Sequence, residues 1–479
     1  MFQKLSKYLG VSFALIFFSS LLLLSSAAAK NINFADQLHP KRCTTIIVGK
    51  DVTLDGSVIL AHNEELGDYS AQHYFVQPQQ ENDPDETLKS YYGAEIPQVA
   101  KNYRYIGTKV FDVNYIPGGV TGGINEHQVA IANNLAWQRD DVTPWPTEGR
   151  IMWTEYMKFA LERASSSRQA VEIIGNLAQT YKHWGPGTMF GITDPNEGWW
   201  VEIAQEGQWV AQRVPDNEAQ MRANTFRIGA VDFDSDNFMY SDDLVNYAEE
   251  QGWYDSGDGP FNFTEVYGDP EKVGSTYNTR RHGRVEELLG KYMPTVKPSD
   301  LMAILRDHYE GSEYDFTTSE KPSPHHTDER TCCRMETEYS VVMQSRDWLP
   351  ANIGAVCWRS MTTPCTGVYV PWYLGNTEVP PVYQQGKNSF TPDSAYWAFR
   401  SLSKAVDTDY GDTIAEVRES WSSFEEKELK FQDTVEQIAL RLFKKNPDMA
   451  NAFLTEYTMM QAQKVYRFAE QLSSEVEQP

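Results

Sequence analysis

An α+β fold, with two antiparallel sheets sandwiched by helices, follows from three features of this 479-residue sequence. A β-branched run at residues 44–48 and another extended run at 57–61 flank Asp55-Gly56, whose positive φ preference marks a turn. Three further extended runs, at 188–193, 199–204 and 208–214, are punctuated by Asp194-Pro195-Asn196-Glu197-Gly198 and Glu206-Gly207, as in a meander. Helical periodicity occupies residues 151–181 and returns from residue 395 to the end. Strand blocks with helical pairs between and after them bury their apolar faces most simply in layers. The length would allow several domains, but no Pro/Gly/Ser-rich linker or repeat divides the chain, which favours one elaborated domain.

The first thirty residues run from Lys4 and Lys7 through an apolar stretch, 11–24, to Ser25-Ser26-Ala27-Ala28-Ala29. This charged, apolar and small-residue order predicts a signal peptide, residues 1–29, cut after Ala29. Residues 11–29 are also just long enough to span a bilayer, and the small-residue tail favours cleavage. Residues 30–42 then form a short propeptide ending in Lys41-Arg42, directly before Cys43. A cut between Arg42 and Cys43 would give one residue both a thiol and a free α-amine. The amine's ordinary pKa, about 7.7–8.0, suits a general base near neutral pH.

Beyond the hairpin, residues 77–101 are polar and proline-bearing, as in a surface loop. A second strand pair, 120–124 and 129–132, turns at Asn125-Glu126-His127 and runs into Asn133-Asn134. Ile151, Tyr156, Met157, Ala160 and Leu161 keep helical spacing. Ser166-x-x-Gln169 resembles a capping box for the next helix. Later strands are expected at 339–343, 353–358 and 367–372, and the apolar faces of the tail include Ile414, Val417, Trp421, Leu454, Tyr457 and Phe468.

The formal charge of −25 disfavours nucleic acid and anionic lipid as partners, and 13% aromatic content indicates a packed globule. Cys332, Cys333, Cys357 and Cys365 are an even set in a chain expected to be exported, so one or two disulfides are expected. His325, His326, Cys332 and Cys333 lack a CxxC-type spacing, which argues against a zinc site. Asp232-Phe233-Asp234-Ser235-Asp236 opens like a calcium loop, but Asn237 replaces the sixth-position glycine and Asp243 the usual glutamate, leaving an acidic loop.

The stretch from Cys43 to Glu65 resembles the start of the peptidase family C69 dipeptidases, which are related to secernins and to penicillin V and bile salt acylases. The likeness continues through the Asn125-Glu126-His127 turn, Arg222-Ala223-Asn224-Thr225, Tyr277-Asn278-Thr279-Arg280-Arg281 and Pro364-Cys365. The resemblance implies a four-layer αββα N-terminal nucleophile hydrolase core, residues 43–390, with a helical region, 391–479, packed on it. It also implies a self-processed Cys43 that cleaves short peptides, without a cofactor. Ala61-His62-Asn63-Glu64-Glu65 matches the family's Ala-Arg-Asn-Asp-Asp, so Glu65 takes the place of the aspartate that orients the amine, and His62 that of an arginine. Asn133, with Asn134 as alternative, and Asn224 match asparagines that hold the oxyanion. Arg280 or Arg281 matches an arginine near the nucleophile, which either lowers the thiol pKa or grips a carboxylate. The family's turn glycine is Gln128 here, a departure that puts the local backbone in question.

The expectation is a secreted or periplasmic cysteine dipeptidase acting on short peptides, not held in the membrane after signal cleavage and open to homo-oligomerisation. An acylase of N-acyl amides would share the nucleophile but need an apolar pocket. A non-catalytic extracytoplasmic binding protein would leave the Arg42–Cys43 bond intact.

Overall fold

The computed structural model describes residues 43–66, 70–111, 119–139, 146–318 and 320–476, so the expected signal peptide and propeptide lie outside the described residues. In chain order the principal strands are β1 (Thr44–Val48), β2 (Val58–Glu65), β3 (Gln72–Gln77), β4 (Tyr105–Val110), β5 (Val120–Asn125), β6 (Ala130–Leu135), β7 (Thr188–Thr193), β8 (Gly198–Ile203), β9 (Trp209–Val214), β10 (Ala219–Arg222), β11 (Phe238–Tyr240), β12 (Thr337–Ser345), β13 (Val356–Met361) and β14 (Val370–Tyr373). The principal helices are α1 (Trp153–Arg163), α2 (Ser167–Tyr181), α3 (Thr276–Tyr292), α4 (Pro298–Leu305), α5 (Ala395–Thr408), α6 (Tyr410–Phe443) and α7 (Pro447–Val476). None of the described helices is long and apolar enough to cross a membrane.

Six strands form one antiparallel sheet in the order β10-β1-β2-β12-β13-β14, and eight form a second in the order β11-β9-β8-β7-β6-β5-β4-β3. The sheets face each other, with β1 and β2 lying over β6 and β7. Close approach depends on Gly191 and Gly198, where a Cβ would stand 3.0 Å from a Thr45 methyl and 2.6 Å from an Ile47 methyl. Helices α1 and α2 cover the outer face of the second sheet, while α3, α4 and α7 cover that of the first. This is the α+β, four-layer αββα sandwich.

Alternation along the strands sorts side chains between the layers. Ile46, Val48, Ile59 and Ala61 point outward to pack with Val285 and Leu289 of α3 and Leu301 of α4. Leu60, Val341 and Met343 point inward and join Ala130 and Ala132 of β6 in a core that extends to the tail helices through Trp372, Tyr396 and Trp421. Burying each large apolar side chain stabilises the fold by roughly 1.5–3 kcal/mol. The tail therefore shares the core of the sandwich.

The β1–β2 connection is longer than a two-residue hairpin, because a 3₁₀ turn at Lys50–Val52 intervenes before Gly56 takes φ 84°. Asp55 closes the bend by accepting hydrogen bonds from the Ser57 amide (3.1 Å) and hydroxyl (2.6 Å). Residues 77–101, expected as loop, carry two short exposed ribbons. The strand expected from residue 353 starts later: residues 351–354 form a helical turn and β13 begins at Val356. Gln128 adopts φ 62°, the left-handed conformation glycine usually supplies, and its side-chain amide holds that shape by pairing with both backbone groups of Arg346 at 2.9 Å. Ser166 caps α2 as its spacing predicts, accepting from the Gln169 amide at 3.1 Å.

Candidate active site

The β1–β2 register pairs Thr44 with Asn63 and Thr45 with His62, so the next position places Cys43 opposite Glu64. Cys43, Thr45, His62 and Glu64 consequently share the inner face, between the sheets, and all are buried. Asn63 and Glu65 project to the outer face.

On the inner face the polar groups close a ring. The Cys43 thiol donates to Glu64 Oε1 at 3.5 Å, and Glu64 Oε2 lies 3.2 Å from His62 Nε2. His62 Nδ1 lies 2.7 Å from the Thr45 hydroxyl, which donates to Asn134 Oδ1. The Asn134 amide then donates to the Cys43 carbonyl at 3.2 Å, and to the carbonyls of Arg222 (3.0 Å) and Ala223 (2.7 Å). Three carbonyls around one amide nitrogen fix the Asn134 orientation, and that orientation fixes the direction of the Thr45 hydroxyl. With its hydroxyl proton committed, Thr45 accepts from His62 Nδ1–H. His62 then meets the Glu64 carboxyl through its other nitrogen, and a hydrogen bond there requires a proton between them beyond a neutral imidazole and a carboxylate.

Burial pushes the Cys43 thiol well above its ordinary value, and the Glu64 carboxylate adds to the rise. The thiol is therefore neutral while Cys43 sits inside a peptide chain.

The outer face is organised by arginines. Arg281, on α3 and fully buried, donates to the Cys43 carbonyl at 3.1 Å, to the Thr44 hydroxyl at 3.3 Å and to Asn224 Oδ1 at 2.9 Å. Desolvation lowers its pKa to about 10, with Arg330 second, so it stays charged at neutral pH. Asn224 in turn donates to the Leu135 carbonyl at 2.8 Å, tying the turn after β10 to the end of β6. Glu65 pairs with Arg330 and accepts from the Thr337 hydroxyl at 3.3 Å. Burial raises the Glu65 carboxyl, opposed by Arg330 and Arg281.

Among the residues expected at the site, the structure brings Cys43, Asn224 and Arg281 together. Glu65 lies behind them on the outer face. Asn133 is turned away: its amide donates to the Thr188 hydroxyl (2.6 Å) and the Met189 carbonyl (2.8 Å), because β6 alternates and its Asn134 face meets β1. Arg280 is also apart, one position round the helix, paired with Glu329 and stacked 3.8 Å from the Tyr314 ring centroid. Arg281 holds the main-chain carbonyl of Cys43. Sequence reasoning missed Glu64, Thr45 and Arg330. Counting back from a known register would have found the first two.

The expected disulfides are absent, since all five cysteines are free, buried thiols. Two buried clusters could hold a metal ion among the described residues, Cys43 with His62 and Glu64, and His308 with Cys333 and Cys365. An ion at the first would occupy the thiol.

The sequence matches the family model for peptidase family C69 over residues 42–423. The chain belongs to peptidase family C69. Similar proteins include a probable dipeptidase of Latilactobacillus sakei, 25% identical over 78% of this chain and 83% of that protein. Another is a probable dipeptidase of Salmonella dublin, 28% identical over 72% of this chain and 83% of its own length. Among solved structures, penicillin V acylase from Agrobacterium tumefaciens aligns at a TM-score of 0.33 with 11% identity, covering 69% of this C69 chain and 86% of the acylase. A mutant of the conjugated bile acid hydrolase from Clostridium perfringens aligns at 0.29 with 13% identity over 67% and 89% of the two chains.

Proposed function

We propose that this C69 peptidase is an exported cysteine dipeptidase whose nucleophile, Cys43, becomes N-terminal when residues 30–42 are removed. The observation that carries the reading is the ring around Cys43, which joins its thiol and its carbonyl through Glu64, His62, Thr45 and Asn134. The probable dipeptidases similar to this chain support the substrate class.

In maturation the sulfur adds to the Arg42 carbonyl and the Cys43 amide nitrogen leaves as the free amine, taking up the thiol proton. Water then cleaves the thioester, and Arg42 departs with a carboxylate. In turnover the α-amine takes the Cys43 thiol proton, the sulfur attacks the scissile carbonyl, and the resulting ammonium protonates the leaving amine. The same amine activates water against the thioester. Asn224, whose amide holds one carbonyl and has a second N–H, supplies a donor for the developing oxyanion, while Asn134, whose amide is committed to three carbonyls, fixes the Cys43 main chain. Glu64, rather than the arginine-bound Glu65, is the carboxylate that orients the α-ammonium, because it already lies against Cys43 on the inner face. The leader of residues 1–29 directs the protein to the periplasm or the exterior.

Intact-mass measurement of the purified protein and of Cys43→Ala, alongside a dipeptide hydrolysis assay, tests the reading. The natural chain should begin at Cys43 and hydrolyse dipeptides, whereas the alanine variant should retain residues 30–42 and be inactive. An alanine variant that is inactive but trimmed would move the cut to another protease. Full peptidase activity in Cys43→Ala would end the proposal.

A further inference from the structure

The second thiol cluster is far from idle packing. His308 follows α4, His325 sits in a 3₁₀ turn at Pro324–His326, Cys333 precedes β12, and Cys365 lies between β13 and β14. All four are buried, at 0%, 3%, 0% and 3% exposure. Donor atoms of His308, Cys333 and Cys365 lie within 4.8 Å of one another, and His325 Nε2 stands 3.6 Å from the Cys365 sulfur. The two imidazoles meet edge to face, with centroids 4.9 Å apart at 81°, under the Tyr410 ring. Neither ring nitrogen of His308 makes a hydrogen bond of ordinary geometry to nitrogen or oxygen; Cys365 is the polar group facing it. Two imidazoles and two thiols without full hydrogen bonding are costly to bury.

We propose that His308, His325, Cys333 and Cys365 bind one structural zinc ion. Two sulfurs and two imidazoles are a tetrahedral, closed donor set for this metal. With bonds of roughly 2.0–2.3 Å, such an ion holds its donors about 3.3–3.8 Å apart. The His325–Cys365 pair already stands at 3.6 Å, the donors of His308, Cys333 and Cys365 lie within 4.8 Å, and on binding they draw together while His325 closes on His308 and Cys333. Binding displaces the protons of both thiols and leaves no coordination position for water, so the ion's role is architectural. Three of the ligands lie in the segment 306–336, which joins α4 to β12 with little regular structure and whose Arg330 pairs with Glu65. The same segment gives the Cys332 carbonyl that accepts from Asn63 at 2.7 Å. A metal closing so long a connection fixes the outer side of the site at small entropic cost in the folded state. Spacing arguments reject zinc among His325, His326, Cys332 and Cys333, and the fold assembles a different set in which only His325 and Cys333 recur.

The test uses the full-length protein isolated from zinc-supplied cells without added chelator. Elemental analysis should find about one zinc per chain. Zinc should remain in Cys43→Ala and in Cys357→Ser, which separates this cluster from the Cys43 trio and from the other buried thiol. It should be lost in Cys333→Ser and Cys365→Ser. Removing the ion with a chelator should lower Tm by at least about 5 °C, with recovery on zinc addition. If the serine variants do not fold, the chelated natural protein titrated with Co²⁺ still decides: a tetrahedral visible band with thiolate-to-cobalt charge transfer is expected. Less than about a tenth of an ion per chain together with no such band would overturn the proposal. So would a Cys333–Cys365 disulfide in non-reducing peptide maps, or loss of the zinc in Cys43→Ala.

Discussion

Asn133 and Asn134 are adjacent in sequence, equally buried and chemically identical, so substituting each with alanine isolates the direction in which the side chain points. Asn134→Ala removes the donor to the Cys43, Arg222 and Ala223 carbonyls and the acceptor for Thr45. Stranded buried acceptors cost about 1–3 kcal/mol each, and with partial relaxation the loss is roughly 2–4 kcal/mol of stability. Asn133→Ala strands the Thr188 hydroxyl, while the Met189 carbonyl stays in a strand paired on both sides, and should cost about 1–3 kcal/mol. The stability penalties thus overlap, while catalysis should not. Asn134 positions the Cys43 main chain and the Thr45 hydroxyl, and a misplaced nucleophile costs about 10²-fold, so kcat should fall by roughly that factor in Asn134→Ala and by less than about threefold in Asn133→Ala. Denaturant unfolding gives the stabilities, and dipeptide hydrolysis per processed, folded molecule gives kcat, with intact mass reporting the processed fraction. Equal losses of kcat in the two variants would refute the assignment of faces.

Asn224→Ala should lower kcat by about 10²–10³ if its amide serves the oxyanion; a drop under about threefold would remove it from the site. Arg281→Met should impair both maturation and stability, because it removes one of the two side-chain donors to the Cys43 carbonyl and strands Asn224 Oδ1. Arg280→Ala should change stability by less than about 1 kcal/mol, as for a part-exposed ion pair, and leave processing intact by mass. Glu64→Gln should shift the pH profile of Cys43 alkylation by iodoacetamide to lower pH, since the carboxylate beside the thiol raises its pKa, whereas a shift upward would contradict the geometry. His183 is buried with its pKa lowered from 6.5 to about 4, chiefly by desolvation. The unfolded chain then binds the proton first, so stability is lost as pH falls from about 6.5 towards 4, by about 3 kcal/mol in all. His183→Gln should flatten that part of the pH–stability curve measured by denaturant unfolding.

Period-two alternation and helical spacing are local, which is why the two sheets and their helices could be read directly from the residues. Register is not local. A tight turn centred on Asp55-Gly56 would set residue 44 opposite residue 67, but the 3₁₀ turn at Lys50–Val52 moves Thr44 opposite Asn63. That shift of four residues brings Glu64 opposite the thiol, and alternation along β2 sends Glu65 to the other face. The choice between Asn133 and Asn134 depends on which face of β6 the first sheet covers, a tertiary fact no single strand contains. Arg281 and Arg280 both sit on a helix whose contact with the β1–β10 side determines which one is buried. Gln128 shows the reverse case: a missing glycine suggests a changed backbone, yet bonds to Arg346 from a distant strand end maintain the left-handed turn.

The split of the β1–β2 ladder into two faces separates chemistry from support. Inside, Cys43, Glu64, His62, Thr45 and Asn134 exchange hydrogen bonds around one ring; outside, Arg281 and the Glu65–Arg330 pair are charged groups that brace the same ladder. The Cys43 carbonyl is the point where both faces grip, through Asn134 and Arg281. Because the family's arginine is His62 here, the inner ring has no permanent cation. Its bond polarity needs one extra proton on the His62–Glu64 pair, and the α-ammonium that the proposed maturation would release would compete for the same carboxylate. With that ammonium in place, Glu64 would no longer depend on the His62 bond alone for a partner. His62→Gln, which keeps a donor towards Glu64 but cannot carry charge, should therefore slow propeptide removal more than dipeptide turnover by the processed enzyme. Time-resolved intact mass beside steady-state kcat measures both rates on one preparation. An equal slowing of the two would mean that the histidine's charge is needed throughout and that maturation does not relieve it.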